Sequence, residues 1–131
     1  MWVQYGLGIV LAVAVAGGAT ATGLDRRRGF YPAVLVVIAV CYALFAAMAA
    51  PRSVLLTESF IAVGFALLAV AGFRASLWLV AAGLAGHGAF DLIHHRFIDN
   101  PGVPSWWPAL CLAFDVTLGA AVALILVRRR G

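Results

Sequence analysis

Charged side chains are scarce in this chain, making up only 11% of its 131 residues, whereas hydrophobic residues make up 65%. Soluble globular domains carry about a quarter charged and about half apolar residues. The sequence also lacks polar low-complexity tracts and long Ser/Pro-rich linkers, which argues against a soluble appendage. We therefore predict an all-α, polytopic membrane protein whose residues 1–131 form a single transmembrane helical domain.

Cysteine is also scarce, and the basic residues have a restricted distribution. Cys41 and Cys111 both lie inside apolar segments, where thiols usually pack as small hydrophobic groups, so we expect no structural disulfide. The net charge of +4 comes from nine arginines that stand at the ends of apolar runs. Because no basic face is interleaved with aromatic residues, we expect no nucleic-acid partner.

The apolar residues group into runs long enough to cross a bilayer, which takes about 20 residues for a helix. The apolar segment from Ser53 to Phe97 is too long for one helix crossing the membrane, so we place a reversal of the chain near Gly72. The sequence then predicts five spans: Trp2–Thr22, Tyr31–Ala50, Ser53–Gly72, Ala75–Phe97 and Trp106–Val127.

The arginines predict the orientation of these spans through the positive-inside rule. With the N-terminus outside and the C-terminus cytoplasmic, the arginines on the cytoplasmic side are Arg26, Arg27, Arg28, Arg74, Arg128, Arg129 and Arg130. Only Arg52 and Arg96 then lie outside. Since basic residues follow the first apolar run and do not precede it, we expect that helix to be kept in the mature protein.

All three histidines of the chain occur in one short pattern, H-x-x-x-D-x-x-H-H, formed by His87, Asp91, His94 and His95. At about 100° per residue, the first three fall within roughly 60° of one another on a helix. His95 lies on the flank of the same face. One predicted span therefore presents several groups that can converge on a ligand.

Three of the five acidic residues lie inside predicted spans, namely Glu58, Asp91 and Asp115. An ionised side chain at a helix centre costs about 2.5–3.5 kcal/mol on insertion scales, so such a residue is normally paired, neutralised or functional. With about 1.5 Å of rise per residue, Glu58 and Asp115 come to the depth of the histidine pattern. We predict one polar pocket in the outer half of the bilayer, opening outward.

The residue types in this pocket suit a divalent metal, because neutral imidazole and carboxylate bind zinc, iron or manganese. We expect zinc first, with iron or manganese as alternatives, and His87, Asp91 and His94 as its ligands. A catalytic zinc ion commonly keeps one position open for water or substrate.

The acids and the third histidine could take part in the chemistry, or they could serve only to hold the helices together. Asp91, Asp115 and Glu58 would serve as ligand or general base, and His95 would relay protons. The alternative is that these groups only form hydrogen bonds between helices, and a pairing of Asp115 with His87 would be of that kind. We interpret Cys111 as a packing residue.

From His87 onward, about the last third of the chain resembles a family of small, uncharacterised bacterial integral-membrane proteins. The residues that carry the resemblance are His87, Asp91, His94, His95, Asn100, Pro101, Cys111 and Asp115. They form an H-x-x-x-D-x-x-H-H helix, an Asn-Pro turn and a last helix with cysteine and aspartate. The resemblance supports these residues as a site and implies a multi-pass protein of the bacterial inner (plasma) membrane, but it leaves the reaction open.

Three functions are compatible with these features. The first is a metal-dependent membrane enzyme, with hydrolase or proton-transfer chemistry on a lipid-like or apolar small molecule. The second is a transporter of metal ions or protons, and the third is a non-catalytic subunit or assembly factor. Expected partners are membrane lipid and an apolar substrate. Small residues at four-residue spacing, such as Ala12 and Ala16 or Ala14 and Gly18, would allow a homo-oligomer.

Overall fold

The computed structural model describes residues 2–130, and over this range the chain is helical, with no strand. Its α-helices are α1 (Trp2–Thr22), α2 (Phe30–Ala49), α3 (Arg52–Arg74), α4 (Leu77–Phe97) and α5 (Trp107–Arg130). A short 3-10 turn, Leu24–Arg26, lies between α1 and α2. Each of these five helices is long and apolar enough to cross a membrane, which confirms the predicted number of spans. Their orientation across a membrane stays a prediction.

The reversal between α3 and α4 lies slightly later than the sequence predicted. Helix α3 continues to Arg74, and only Ala75 and Ser76 separate it from α4. The Ser76 side chain accepts a hydrogen bond of 3.3 Å from the backbone N–H of Trp78, which satisfies a free donor at the start of α4. The cap therefore fixes where α4 begins.

Helix α4 is the central element of the bundle. It packs against α2, α3 and α5, and α1 lies on the far side of α5. The backbones of α4 and α5 approach closely at Gly119, where a Cβ atom would lie only 3.1 Å from the carbonyl oxygen of Ala81. Small residues at a crossing allow such an approach between apolar helices. The histidine pattern thus lies on the helix that has neighbours on most sides.

One end of the bundle, here called the arginine end, gathers the α1–α2 connection, the α3–α4 turn and the end of α5. The Arg129 guanidinium donates a hydrogen bond of 3.0 Å to the carbonyl oxygen of Asp25. The Arg28 side chain donates to the carbonyl oxygen of Phe73. These contacts join the three segments, so the arginines of the α1–α2 connection, the α3–α4 turn and the end of α5 lie at one end of the bundle.

The opposite end, here called the loop end, contains the α4–α5 loop of residues 98–106. The Asn100 side-chain amide donates a hydrogen bond of 3.1 Å to the carbonyl oxygen of Tyr42 near the end of α2. Gly102 lies so close to the carbonyl group of Phe45 that a Cβ atom would overlap it. Because only glycine fits there, the loop is fixed against α2.

The interior of the bundle changes character along its length. Toward the arginine end it is mostly apolar, and Leu35, Val80, Leu84 and Leu118 are completely buried there. The buried face of α4 continues beyond Leu84 at the same helical spacing, but its next members are histidine and aspartate. The bundle therefore has an apolar interior in one half and a polar interior toward the loop end.

The outer surface is strongly apolar. Met48, Phe60 and Trp2 are each at least 80% exposed. A soluble monomer rarely presents extensive apolar surface, whereas a lipid-facing surface requires it. Of the small residues noted in the sequence, Ala12 is buried in the core, while Ala14 and Gly18 are exposed. A homo-oligomer through that exposed face stays a prediction.

Candidate metal centre

Helix α4 directs His87, Asp91 and His94 into the interior because they lie three or four residues apart, on the buried face that begins with Val80 and Leu84. All three polar side chains are at most 3% exposed. His95 is one residue out of this spacing and is exposed. The helix therefore separates the histidines into two interior residues and one surface residue.

His87 forms the centre of one polar cluster. Its Nδ1 atom lies 2.6 Å from Oδ2 of Asp115 on α5 and 3.6 Å from Oδ2 of Asp91 on its own helix. The Sγ atom of Cys111, one turn before Asp115, lies 3.5 Å from the same Asp115 oxygen. All four side chains are buried. We call these four residues the His87 cluster.

The hydrogen bonding of the His87 cluster is incomplete. Among residues 2–130, neither Oδ2 of Asp91 nor Oδ1 of Asp115 has a hydrogen-bond partner. A buried acceptor without a donor costs about 1–3 kcal/mol, and more for a charged group. The ion pairs of the described chain also give these carboxylates no arginine partner. With both carboxyl groups ionised beside one imidazole, the cluster would carry excess negative charge, which a bound cation would neutralise.

The ligand atoms of the His87 cluster could hold a metal ion, since they all lie within 4.8 Å of one another. A tetrahedral ion with bonds of about 2.0–2.3 Å has ligand atoms roughly 3.3–3.8 Å apart. The Asp91–His87 separation of 3.6 Å and the Cys111–Asp115 separation of 3.5 Å already match that range. The shorter His87–Asp115 contact would lengthen once the shared proton leaves, and metal binding generally displaces such protons.

His94 belongs to a second cluster that is separate from the first. Its Nε2 atom lies 2.8 and 3.0 Å from the two carboxylate oxygens of Glu58 on α3. The Asn100 amide donates a hydrogen bond of 2.8 Å to Glu58 Oε2, and Asn100 Oδ1 accepts one of 3.1 Å from the backbone N–H of Gly102. We call His94, Glu58 and Asn100 the His94 cluster. Both of its carboxylate oxygens have donors, and one acid faces one imidazole.

Tyr42 joins the two clusters from α2. Its hydroxyl donates a hydrogen bond of 2.6 Å to Oδ1 of Asp91. Its ring stacks on the His94 imidazole, with ring centres 3.9 Å apart and planes 9° from parallel. Because Oδ1 of Asp91 is engaged by the tyrosine, Oδ2 is the oxygen left beside His87. Tyr42 therefore fixes which carboxylate oxygen the His87 cluster presents.

A cavity of about 640 Å³ lies beside the clusters at the loop end, and we call it the loop-end cavity. Its wall is formed by the start of α1, the end of α4, the α4–α5 loop and the start of α5. Asp91 and His94 form part of this wall, as do the exposed residues His95 and Asp99. Asp91 is thus common to the cavity and to the His87 cluster.

The structure brings together most of the residues that the sequence selected, but in two groups. His87, Asp91 and Asp115 lie in one cluster, and Glu58 and His94 lie in the other. His94, predicted as a metal ligand, contacts the Glu58 carboxylate and is not among the four grouped ligand residues. The predicted relay residue His95 lies apart from both clusters, in the cavity wall.

Sequence reasoning gave two residues of the site too little weight. Cys111 was interpreted as packing, yet its thiol lies within reach of Asp115. Its spacing of four residues from Asp115 places both on one helical face, which was the available signal. Tyr42 was not selected at all. A tyrosine in the middle of an apolar span was the signal there, because a buried hydroxyl usually needs a partner.

Comparisons of this chain with protein-family models, with curated proteins and with solved structures find no match. The resemblance to small bacterial membrane proteins therefore stays a prediction, and the function has to be inferred from the geometry of the two clusters.

Proposed function

We propose that this chain is an integral-membrane metal-binding protein and acts as a metal-dependent enzyme on an apolar small molecule. The observation that carries the proposal is the His87 cluster. It combines four ligand atoms within 4.8 Å, two carboxylate oxygens without donors in the described chain, and a shared wall with the loop-end cavity. Buried polar atoms are normally hydrogen-bonded, so the two free oxygens support a partner such as a bound cation.

The membrane setting follows from the five apolar helices and their apolar exterior. The arginine end gathers the basic residues of three segments, so the positive-inside rule assigns it to the cytoplasm. We therefore propose that the N-terminus and the loop end lie outside, in the bacterial inner membrane. The loop-end cavity would then receive molecules from the outer leaflet or the outer surface.

The donor set favours zinc. Thiolate and imidazole suit zinc and iron, while manganese prefers oxygen ligands, so Cys111 lowers the rank of manganese. We assign ligand roles to His87, Asp91, Cys111 and Asp115, in part as alternatives that leave one position open for water or substrate. A bound zinc ion acidifies its water and so supplies hydroxide for hydrolysis at neutral pH.

The other polar residues of the site support the ligands. Both oxygens of the Glu58 carboxylate are engaged by His94 and Asn100, so Glu58 would act only through His94. Tyr42 orients Asp91 by a hydrogen bond, as partners of metal ligands usually do. His95 in the cavity wall would exchange protons with the solvent.

Transport across the membrane is the weaker alternative. A path for protons or metal ions needs polar groups along its whole length. The interior toward the arginine end is closed by Leu35, Leu84 and Leu118, which are fully buried. Apart from Asp25 and Tyr31 at the arginine end, the buried polar residues of the described chain lie toward the loop end, so they do not form a continuous path.

Cobalt substitution tests the proposal directly. Co²⁺ bound by a thiolate shows an intense charge-transfer absorption that carboxylate and imidazole ligands do not produce. We expect this band in the purified protein and in Cys41→Ser, but not in Cys111→Ser. Cys41 is a matched control because its thiol donates a hydrogen bond to the carbonyl oxygen of Val37 on its own helix and is not among the four grouped ligand residues. Elemental analysis that finds no metal above the level of a His87→Ala variant, together with no cobalt binding, would refute the proposal.

A further inference from the structure

A second cavity, of about 200 Å³, lies between the start of α2 and the end of α3, and we call it the α2–α3 groove. Its wall residues are all apolar, and six of them lie on the two helices: Pro32, Ala33, Val36, Ala69, Val70 and Phe73. Several of these residues are exposed, so the groove lies on the outer surface of the bundle. In a bilayer this surface faces lipid, and the apolar wall suits an acyl chain.

Arg28 is held beside this groove. Its side chain donates a hydrogen bond to the carbonyl oxygen of Phe73, and its Nη2 atom lies 3.5 Å from the carbonyl oxygen of Gly72. Gly29, the next residue along the chain, belongs to the groove wall, as does Phe73. These contacts also cover carbonyl oxygens at the C-terminal end of α3, which would otherwise repel an anion. The guanidinium group is thus fixed next to the groove while the residue stays exposed.

The positive charge beside the groove is not balanced by acids of the chain. The ion pairs within residues 2–130 do not include Arg28. Asp25, the acid nearest in sequence, already accepts a hydrogen bond of 2.7 Å from Thr20 and lies 3.8 Å from Arg129. Guanidinium groups bind phosphate with good geometry, because their N–H donors match its oxygens. A phosphate group would therefore neutralise the charge at this place.

The position of Arg28 requires more than the positive-inside rule. That rule explains why arginines gather at one end of the bundle, but not why one of them is fixed beside an apolar groove. A free phosphate would use the arginine and leave the groove empty, and a neutral lipid would do the reverse. A phospholipid joins a phosphate to acyl chains and so uses both features.

We propose that the α2–α3 groove binds an acyl chain of an anionic phospholipid whose phosphate group is held by Arg28. The inference is independent of the proposed metal chemistry, because the groove shares no residue with the His87 cluster or the His94 cluster.

Lipid titration of the purified protein in nonionic detergent, followed by native mass spectrometry, tests the inference. The probes are phosphatidylglycerol and phosphatidylcholine with identical acyl chains, and inorganic phosphate is the third probe. We expect phosphatidylglycerol to bind about fivefold or more tightly than phosphatidylcholine, because the choline cation opposes the arginine. Inorganic phosphate in excess should not displace the bound lipid, because it has no acyl chain to occupy the groove.

Two arginine variants separate a local contact from the general positive charge. Arg28→Ala and Arg128→Ala each remove one charge from the arginine end, but Arg128 lies on α5, which packs against α1 and α4. Arg28→Ala should weaken phosphatidylglycerol binding about tenfold or more, as expected for loss of a hydrogen bond to a charged group. Arg128→Ala should change it less than about twofold at physiological ionic strength, where charges are screened beyond about 8 Å.

Two alanine positions of α2 test the groove without a change of charge. Ala33→Trp places an indole in the groove and should weaken phosphatidylglycerol binding about fivefold or more, because the acyl chain then buries less apolar area. Ala47→Trp, at an exposed position outside the groove wall, is the matched control and should leave binding unchanged. Both alanines are exposed, so neither substitution overfills the core.

Equal affinities for the two lipids would overturn the inference, and so would displacement of the lipid by inorganic phosphate. Equal losses in Arg28→Ala and Arg128→Ala would also overturn it, because they would show attraction by the general charge of this end. If Arg28→Ala does not fold, Ala33→Trp still decides, since unchanged phosphatidylglycerol binding would reject the groove. These outcomes do not depend on whether the protein binds zinc or cobalt, so a failure of the proposed function remains a separate result.

Discussion

The two polar clusters lie seven residues apart on the same face of α4, yet they differ in how completely their hydrogen bonds are made. In the His94 cluster, both Glu58 oxygens accept hydrogen bonds, and one acid is matched with one imidazole. In the His87 cluster, one imidazole faces two acids, and two carboxylate oxygens have no partner within the described residues. The His94 cluster is therefore complete as a structural element, whereas the His87 cluster keeps two free acceptors and could hold a cation.

The contrast shows which features distinguish a structural cluster from a candidate site in an apolar bundle. Both clusters contain histidine and carboxylate, and both are buried. Residue type and burial therefore do not distinguish them. The balance of charge and the number of free acceptors do, because an apolar surrounding makes an unpaired charge costly unless something binds it.

The largest expected effect is a loss of stability when Glu58, the acid of the His94 cluster, is removed. Glu58→Ala leaves the His94 imidazole buried without its partner and removes one of the two acceptors of the Asn100 amide. Breaking a buried pair in this way costs about 3–5 kcal/mol. Unfolding in mixed micelles would measure the loss, with Glu58→Gln as the isosteric control. The comparison between clusters fails if Glu58→Ala removes metal binding from protein that is still folded.

The next largest effect is a loss of metal affinity when Asp115 of the His87 cluster is replaced. Asp115→Asn keeps the shape of the side chain but removes a charged ligand next to His87. Since partners of ligands alone are worth 10–100-fold in affinity, loss of a ligand should weaken cobalt binding by more than about 100-fold. Competition titration with a chelator would measure it, and Asp99→Asn, an exposed residue outside the cluster, is the control. Unchanged cobalt affinity would show that Asp115 is only a structural partner of His87.

A smaller effect is expected at the residue that joins the clusters. Tyr42→Phe keeps the ring that stacks on His94 and removes only the hydroxyl that binds Asp91. The freed Asp91 carboxylate is then less well oriented, so cobalt affinity should fall by about 10-fold or somewhat more. The same titration measures it. An affinity equal to wild type would mean that the clusters are independent of each other.

The smallest effect should come from the remaining histidine. His95 is exposed and belongs to neither cluster, so His95→Ala should change cobalt affinity by less than about twofold. If it relays protons, the variant instead slows turnover, and added imidazole restores the rate. A loss of cobalt binding as large as that of Asp115→Asn would place His95 in the centre and contradict the geometry described above.

Much of the fold could be predicted from the chain itself. The five apolar runs gave the helices to within three residues at each end, because the length needed to cross a bilayer is set by the bilayer. The largest difference is at the end of α5, which continues to Arg130 beyond the apolar run. Arginine is a good helix former, so the helix does not stop where hydrophobicity stops.

The candidate site could be predicted only in part. The spacing of His87, Asp91 and His94 placed them on one face of a helix, and burial on that face was correctly inferred. The periodicity of α4 does not reveal which side chains of the neighbouring helices contact it at each depth of the bundle. For that reason, the sequence placed Glu58 and Asp115 in one pocket, whereas the structure pairs Asp115 with His87 and Glu58 with His94.

The sequence alone determined that the chain is a bundle of apolar helices with a polar face on α4, because bilayer thickness and helical periodicity act on local runs of residues. The division of that face into the His94 cluster, whose acceptors are satisfied, and the His87 cluster, which has two free acceptors, arises when the helices pack together. That division depends on the packing of α2, α3 and α5 around α4, which brings Tyr42, Glu58 and Cys111 to particular levels. The physical reason is that hydrogen bonding and charge balance are properties of contacts between helices and are not contained in the spacing along any one of them.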